Sequence, residues 1–415
     1  MFSMNKKNRN RFLALVCLLV FLALGGLFYV NWVVQRPFGV ILFLSDNLTP
    51  SVLTPARNYQ GGADHRLQIE KFPHLGLLTT HANDFAVADA AAASSSIATG
   101  QKANNGTLGV ASGKARLPNL IEIARQHGRA TGIVSNASIT DATAAAFYAK
   151  SPDPLDYQNL ARQLVEGADV SVLLGGGGAD MLPDSKGGRR TDGRDLILEM
   201  RNKGYDIVRN QAELESTPSW RTPKTLGLFS MGNMDFSDEF SATSTQPTLA
   251  VLVRHAIRLL QYNPRGYLLV VDAGLSGKAA TQNEGERTLK EMLALDEAVA
   301  VAVSCAGEKG LVIVAGKRSV GGMRLNGFPF RNDKGAGVLG INAQGIPSIT
   351  WSTGPESGTH TSPEGPVPTE PAACKQAAAI GTAEDVIVVG AGPGSEAING
   401  FMDNTDIFRL IEKGL

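Results

Sequence analysis

The chain has 415 residues, 43% of them hydrophobic and 19% charged, enough to bury one large core or two medium ones and unlike a disordered composition. Its 39 Lys and Arg balance 39 Asp and Glu, so no long-range field draws it to nucleic acid, and nucleic-acid binding is not expected. Three cysteines are too few for a disulfide framework: Cys17 lies in an apolar run, and at most Cys305 and Cys374 could pair.

Lys6, Lys7, Arg9 and Arg11 precede an unbroken apolar run from Phe12 to Val30, close to the roughly 20 residues a spanning helix needs, with Trp32 at an interfacial position. The basic flank orients the segment with its N-terminus cytoplasmic and sends the body across the membrane. The expected arrangement is a single pass in an inner membrane, with a periplasmic or extracellular body. A cleaved signal peptide is the competing reading, although no convincing Ala-x-Ala site follows. Residues 1–35 are thus expected to form tail and anchor, and residues 36–415 one domain.

From Gly39 onward short β-rich runs alternate with helical segments. Val40–Leu44, Thr131–Val134, Val170–Leu174, Tyr267–Val271, Leu311–Val314 and Asp385–Val389 read as strands, while Asn119–Gln126, with Pro118 suited to a first helical position, and Asp156–Glu166 read as helices. Buried strands alternating with helices indicate a doubly wound, mostly parallel α/β sheet sandwiched by helices. In such sheets ligands bind outside the carboxyl ends of the strands. Asp46, Asp141, Asp272 and Gly316 fall at or soon after such ends. Gly175–Gly178 lacks the Lys-Ser/Thr of a phosphate loop and reads as a tight strand exit. The stretch from 327 to 380, rich in Gly, Pro, Ser and Thr, reads as an elaborated loop region.

Val87-Ala88-Asp89-Ala90-Ala91, the small-residue segment to Gly100, and Gln101-Lys102-Ala103-Asn104-Asn105-Gly106-Thr107-Leu108-Gly109-Val110 resemble the nucleophile segment of the alkaline phosphatases. Colinear similarities continue through Val40–Asp46, Lys71-Phe72-Pro73, Ala168-Asp169-Val170, Leu226–Phe229, Asn263–Asp272 and Leu295–Val299. The resemblance implies the alkaline-phosphatase-like fold. It also implies a mechanism with a serine nucleophile, two zinc ions, one magnesium ion and a phosphate-binding arginine.

At the implied positions the chain departs from that pattern. Ala90 stands at the nucleophilic serine, and a methyl group has no lone pair with which to attack phosphorus. Five implied zinc ligands are replaced by Gly277, Thr281, Gly316, Lys317 and Gly381, and no arginine falls in Ala149–Pro154. His360 resembles the family's final ligand histidine, but the Asp385–Gly392 run fits the family strand better behind Gly381. No other histidine falls on a ligand position.

The magnesium side persists: Asp46, Thr143 and Asp272 offer oxygen ligands for one Mg²⁺ or Ca²⁺, with Asp141 holding the ion's waters from outside, and zinc is not expected. The other reading is a metal-free cluster in which these acids pair with Lys278, Lys317 or Arg318. For the whole protein, the favoured expectation is a membrane-anchored pseudophosphatase that binds a ligand or partner. The alternatives are an active metal-dependent phosphomonoesterase with a rebuilt site, and a structural subunit forming a homodimer or pairing with an active paralogue.

Overall fold

The computed structural model describes residues 6–28, 38–110, 117–218, 224–326, 339–341, 344–362 and 365–415. Val30, Trp32 and the 35/36 boundary of the sequence reading lie outside the described residues.

The N-terminal helix α1, Lys6–Phe28, has 23 residues, about 34 Å at 1.5 Å each, enough to cross the hydrocarbon core of a bilayer. Its side chains from Lys6 to Gly26 are exposed, so none of the described residues of the body buries them.

Among the described residues the body has sixteen strands: β1 Gly39–Asp46, β2 His74–Thr79, β3 Ala130–Ser138, β4 Val172–Gly176, β5 Asp206–Val208, β6 Thr225–Leu228, β7 Tyr267–Ala273, β8 Gly310–Val320, β9 Arg324–Leu325, β10 Ile349–Gly354, β11 Gly358–Ser362, β12 Gly365–Thr369, β13 Ala372–Lys375, β14 Gly381–Thr382, β15 Val386–Ala391 and β16 Gly400–Asp403. The main sheet runs β16-β2-β15-β8-β1-β7-β3-β4-β6-β5, with β14 pairing β8 off that path. It is parallel except for β15, antiparallel to both neighbours, and β14. Alternation in β1 explains why both faces are covered. Val40, Leu42 and Leu44 point into one hydrophobic cluster, while Ile41 and Phe43 point into the other.

Most expected elements are present, with shifted edges. The strand expected at Val170–Leu174 begins at Val172, because Asp169 is left-handed at φ 46° and the Val170 carbonyl accepts the Tyr205 hydroxyl at 2.7 Å. Val386, not Asp385, opens β15. Pro118 lies ahead of its helix, Leu120–Gln126. Asn119 is the cap, closed by a reciprocal bond with Glu122. The helix expected over Asp156–Glu166 is α-helical only over Tyr157–Gln163 and widens into a π turn at Leu164–Ala168. Gly316 is not at a strand end, since β8 continues to Val320. Gly177, at φ 98°, supplies the expected tight exit after β4.

The 327–380 region holds β10 between β13 and β9, beside a separate β11–β12 hairpin. His360 belongs to that hairpin. Gly381 instead lies in β14, where an added Cβ would be 3.0 Å from Val87 Cγ1, so it adjoins the segment leading into Ala90. Cys17, Cys305 and Cys374 are all unpaired and exposed.

Candidate functional site: a carboxylate cluster around an ammonium group

The site lies at the carboxyl ends of the central strands, and the sheet register assembles it. Asp46 closes β1, and Asp272 is the penultimate residue of the adjacent β7. On the other side of β1, Ser45 pairs with Gly316 but Asp46 pairs with Arg318, so Lys317 is the extra residue of a β-bulge. A bulge re-aims the side chain it carries. Here it turns Lys317 inward and leaves its ammonium buried.

That ammonium meets all three residues expected to hold a cation. It stands 3.4 Å from Asp46 Oδ2 and 3.8 Å from Asp272 Oδ1, and it donates to Thr143 Oγ1. Arg318 Nε adds a contact to Asp46 Oδ1 at 3.1 Å. Asp272 Oδ2 accepts the Ser135 hydroxyl at 2.8 Å, whereas Oδ1 accepts no hydrogen bond among the described residues. Asp141 pairs with Lys278 at 2.7 Å. Three carboxylates therefore face three cations.

The two central acids respond differently. Burial raises the Asp46 carboxyl, but Lys317 and Arg318 outweigh it and hold the group below its ordinary value. For Asp272 burial prevails over Lys317 and Ser135, and the carboxyl is pushed up. Burial would lower the Lys278 ammonium, yet its pairing with Asp141 raises it.

The positions implied as zinc ligands carry little that could bind a metal. An added Cβ at Gly277 would lie 2.1 Å from Asp46 Oδ2, so the Asp46 carboxylate occupies the space a side chain there would need. At Gly316 a Cβ would meet Val386 Cβ at 2.4 Å. The Thr281 hydroxyl donates to the Gly277 carbonyl of its own helix at 2.7 Å. Among the described residues no group of three or more His, Cys, Asp or Glu is arranged to hold a metal ion.

Ala90 opens the helix Ala90–Thr99, which packs against β8 and the short helix Ala142–Ala145. Asp89 fixes this turn, accepting the Ala92 and Gly106 amides at 2.7 and 2.6 Å. The sequence reading overlooked Ser135, whose only signal was its place on β3 beside β7. It also overlooked Glu291, buried where Asn136 Nδ2 and the Ser237 amide donate to it at 3.2 and 2.6 Å.

Residues 39–415 match the family model described as Alkaline phosphatase. The tissue-nonspecific alkaline phosphatase of Gallus gallus is 32% identical over 310 residues, covering 63% of this chain and 60% of that protein. The membrane-bound alkaline phosphatase of Bombyx mori is 32% identical over 349 residues, 72% of this chain and 63% of its own length. Alkaline phosphatase H of Pseudomonas aeruginosa (strain UCBPP-PA14) is 29% identical, with 92% of this chain and 86% of that protein aligned. The chain thus spans about 60% of the length of the first two relatives. Among solved structures, the alkaline phosphatase of the Antarctic bacterium TAB5 superposes with a TM-score of 0.73 at 21% identity, covering 92% of this chain and 98% of that one. The Thermus thermophilus enzyme gives 0.73 at 23%, covering 92% of each chain. One structure of a TAB5 variant holds magnesium in what is called its M3 site.

Proposed function

Because this chain belongs to the alkaline phosphatase family, we propose that it is a membrane-anchored pseudophosphatase in which the Lys317 ammonium supplies, from within the chain, the positive charge that a bound metal would bring. Residues 1–35 serve as tail and anchor and 36–415 as a single domain that binds a ligand or partner. The observation that carries the reading is the contact of one buried ammonium with Asp46, Asp272 and Thr143 together.

The fit of a metal to this donor set supports the same reading. A cation among Asp46, Thr143 and Asp272 would have to displace Lys317 from contacts with all three, and Asp272 Oδ1 alone is left without a hydrogen bond. The residues as arranged do not fit magnesium, and Gly277, Gly316 and Gly381 offer zinc no side-chain donor. Family catalysis also needs an attacking group, which Ala90 does not provide. What the chain's own residues do is hold a polar platform around the buried Lys317 ammonium: Lys317 and Arg318 keep Asp46 ionised, and Ser135 orients Asp272.

Turnover of a chromogenic phosphate monoester by the purified full-length protein, with Zn²⁺ and Mg²⁺ supplied, tests this. The expected rate equals that of a mock preparation. A rate above it that disappears in Asp46→Ala would establish the other reading, a phosphomonoesterase with a rebuilt site.

A further inference from the structure

We infer that the end of the sheet opposite the Lys317 cluster is a lipid-facing floor that seats on anionic bilayer headgroups. This rests on the proposal that α1 is a membrane anchor.

The floor is made where the central parallel strands begin, and Phe38 is its hub. The Phe38 amide donates to the Lys309 carbonyl at 2.8 Å, and the Phe38 carbonyl accepts the Tyr267 amide and Arg129 Nη1, both at 3.1 Å. Arg129 Nη2 also donates to the Gly414 carbonyl at 2.9 Å. The chain arriving from the anchor, the loops ahead of β7 and β8, and the end of the C-terminal helix are thereby laced into one surface.

What this surface shows to solvent suits a headgroup layer. Phe38 is 38% exposed and Tyr262, in the loop ahead of β7, is 58% exposed. Aromatic side chains of this kind concentrate at membrane interfaces. Arg265, Lys309 and Lys413 are exposed around them and make no ion pair among the described residues. Glu308, Glu396 and Glu412 lie at the same end of the molecule, so the attraction rests on local contacts of Arg265, Lys309 and Lys413 with lipid phosphates and not on a net positive charge. Unpaired Lys and Arg close to a bilayer are drawn to anionic lipid.

The tether limits where the floor can go. Nine residues, 29–37, separate α1 from Phe38, and even fully extended they reach only about 30 Å. That reach holds Phe38, and the floor around it, within about 30 Å of the end of α1. Asp46 lies at the other end of the eight-residue β1, about 25 Å further out at the usual rise per residue. The Lys317 cluster then opens away from the lipid, toward soluble partners.

The test uses three versions of the full chain, each with one cysteine and the others replaced by serine: Cys17 in α1, Gln261→Cys beside Tyr262, and Cys374 in β13. Each is spin-labelled and reconstituted in nanodiscs containing phosphatidylglycerol, and collision with oxygen and with a water-soluble nickel chelate is measured. The label at 261 is expected to be several-fold less accessible to nickel than that at 374. This protection should weaken when phosphatidylcholine replaces the anionic lipid or when Arg265→Glu and Lys309→Glu are combined. Equal nickel access at 261 and 374, with Cys17 in lipid, would overturn the floor and leave the anchor intact. A water-exposed Cys17 would overturn both. Protection at 261 that persists in phosphatidylcholine and grows with the number of copies per disc would assign the surface to a second copy of the chain instead.

Discussion

Gly277 and Asp46 share one volume: a Cβ on the glycine would lie 2.1 Å from Asp46 Oδ2. The carboxylate is held there by Lys317 and Arg318, so the missing side chain and the ion-paired acid belong to the same arrangement. Gly277→Ala should therefore force Asp46 away from its cations. Overpacking of this kind costs about 1–3 kcal/mol, to be read from chemical denaturation. An unchanged midpoint would mean that Asp46 moves freely.

Restoring the hydroxyl by Ala90→Ser should give no phosphomonoesterase activity. The serine would begin a helix already capped by Asp89, but among the described residues no group of side chains is arranged to hold a metal that would activate it. Burst release of the leaving group from a chromogenic ester would contradict this.

The legibility of the site was uneven, for physical reasons. Asp46 and Asp272 could be placed from sequence because acids ending apolar runs mark the carboxyl edge of a parallel sheet. Lys317 could be named as a partner for them, but its inward turn depends on a bulge against β1, a matter of register between distant strands that local pattern does not encode. The room at Gly277 is likewise a tertiary property. The β1, β3, β7 and β8 runs were legible because both faces of each are buried, whereas β10 to β13 were hidden in a Gly- and Pro-rich composition. Their order comes from pairing and from buried Trp351, not from alternation.

That same region should be tied to the body by a group that titrates near neutrality. Glu370 accepts Trp351 Nε1 at 3.0 Å and the Gly285 amide at 2.8 Å, and burial pushes its carboxyl up to about 7 despite those donors. The unfolded chain releases this proton near pH 4.5 and the folded one keeps it to about 7. The contribution is therefore full below pH 4.5 and is lost as pH rises to 7, on the order of 3 kcal/mol. Glu291, also raised to about 7 by burial, adds a second such slope. Glu370→Gln keeps an acceptor for both donors and should reduce the pH dependence of stability between pH 5 and 7.5. An unaltered slope would show that Glu370 is ionised throughout.

The anchor has a simple expectation. Full-length protein should remain with membranes after a carbonate wash, the outcome expected if α1, by its length and basic flank, is an anchor. Mature protein whose N-terminal sequence began near Gln35 would identify the segment as a cleaved signal instead.

The central claim, that Lys317 stands in for a metal, is tested most directly by measuring the stability of wild type and Lys317→Ala with and without millimolar Mg²⁺ or Zn²⁺. Removing the buried ammonium leaves Asp46 and Asp272 facing each other, a loss of about 3–5 kcal/mol by analogy with other broken buried pairs. The expected result is a wild-type transition indifferent to either ion and a strongly destabilised variant that Mg²⁺ partly restores. A wild-type protein stabilised by either metal, with Lys317→Ala costing little, would contradict it.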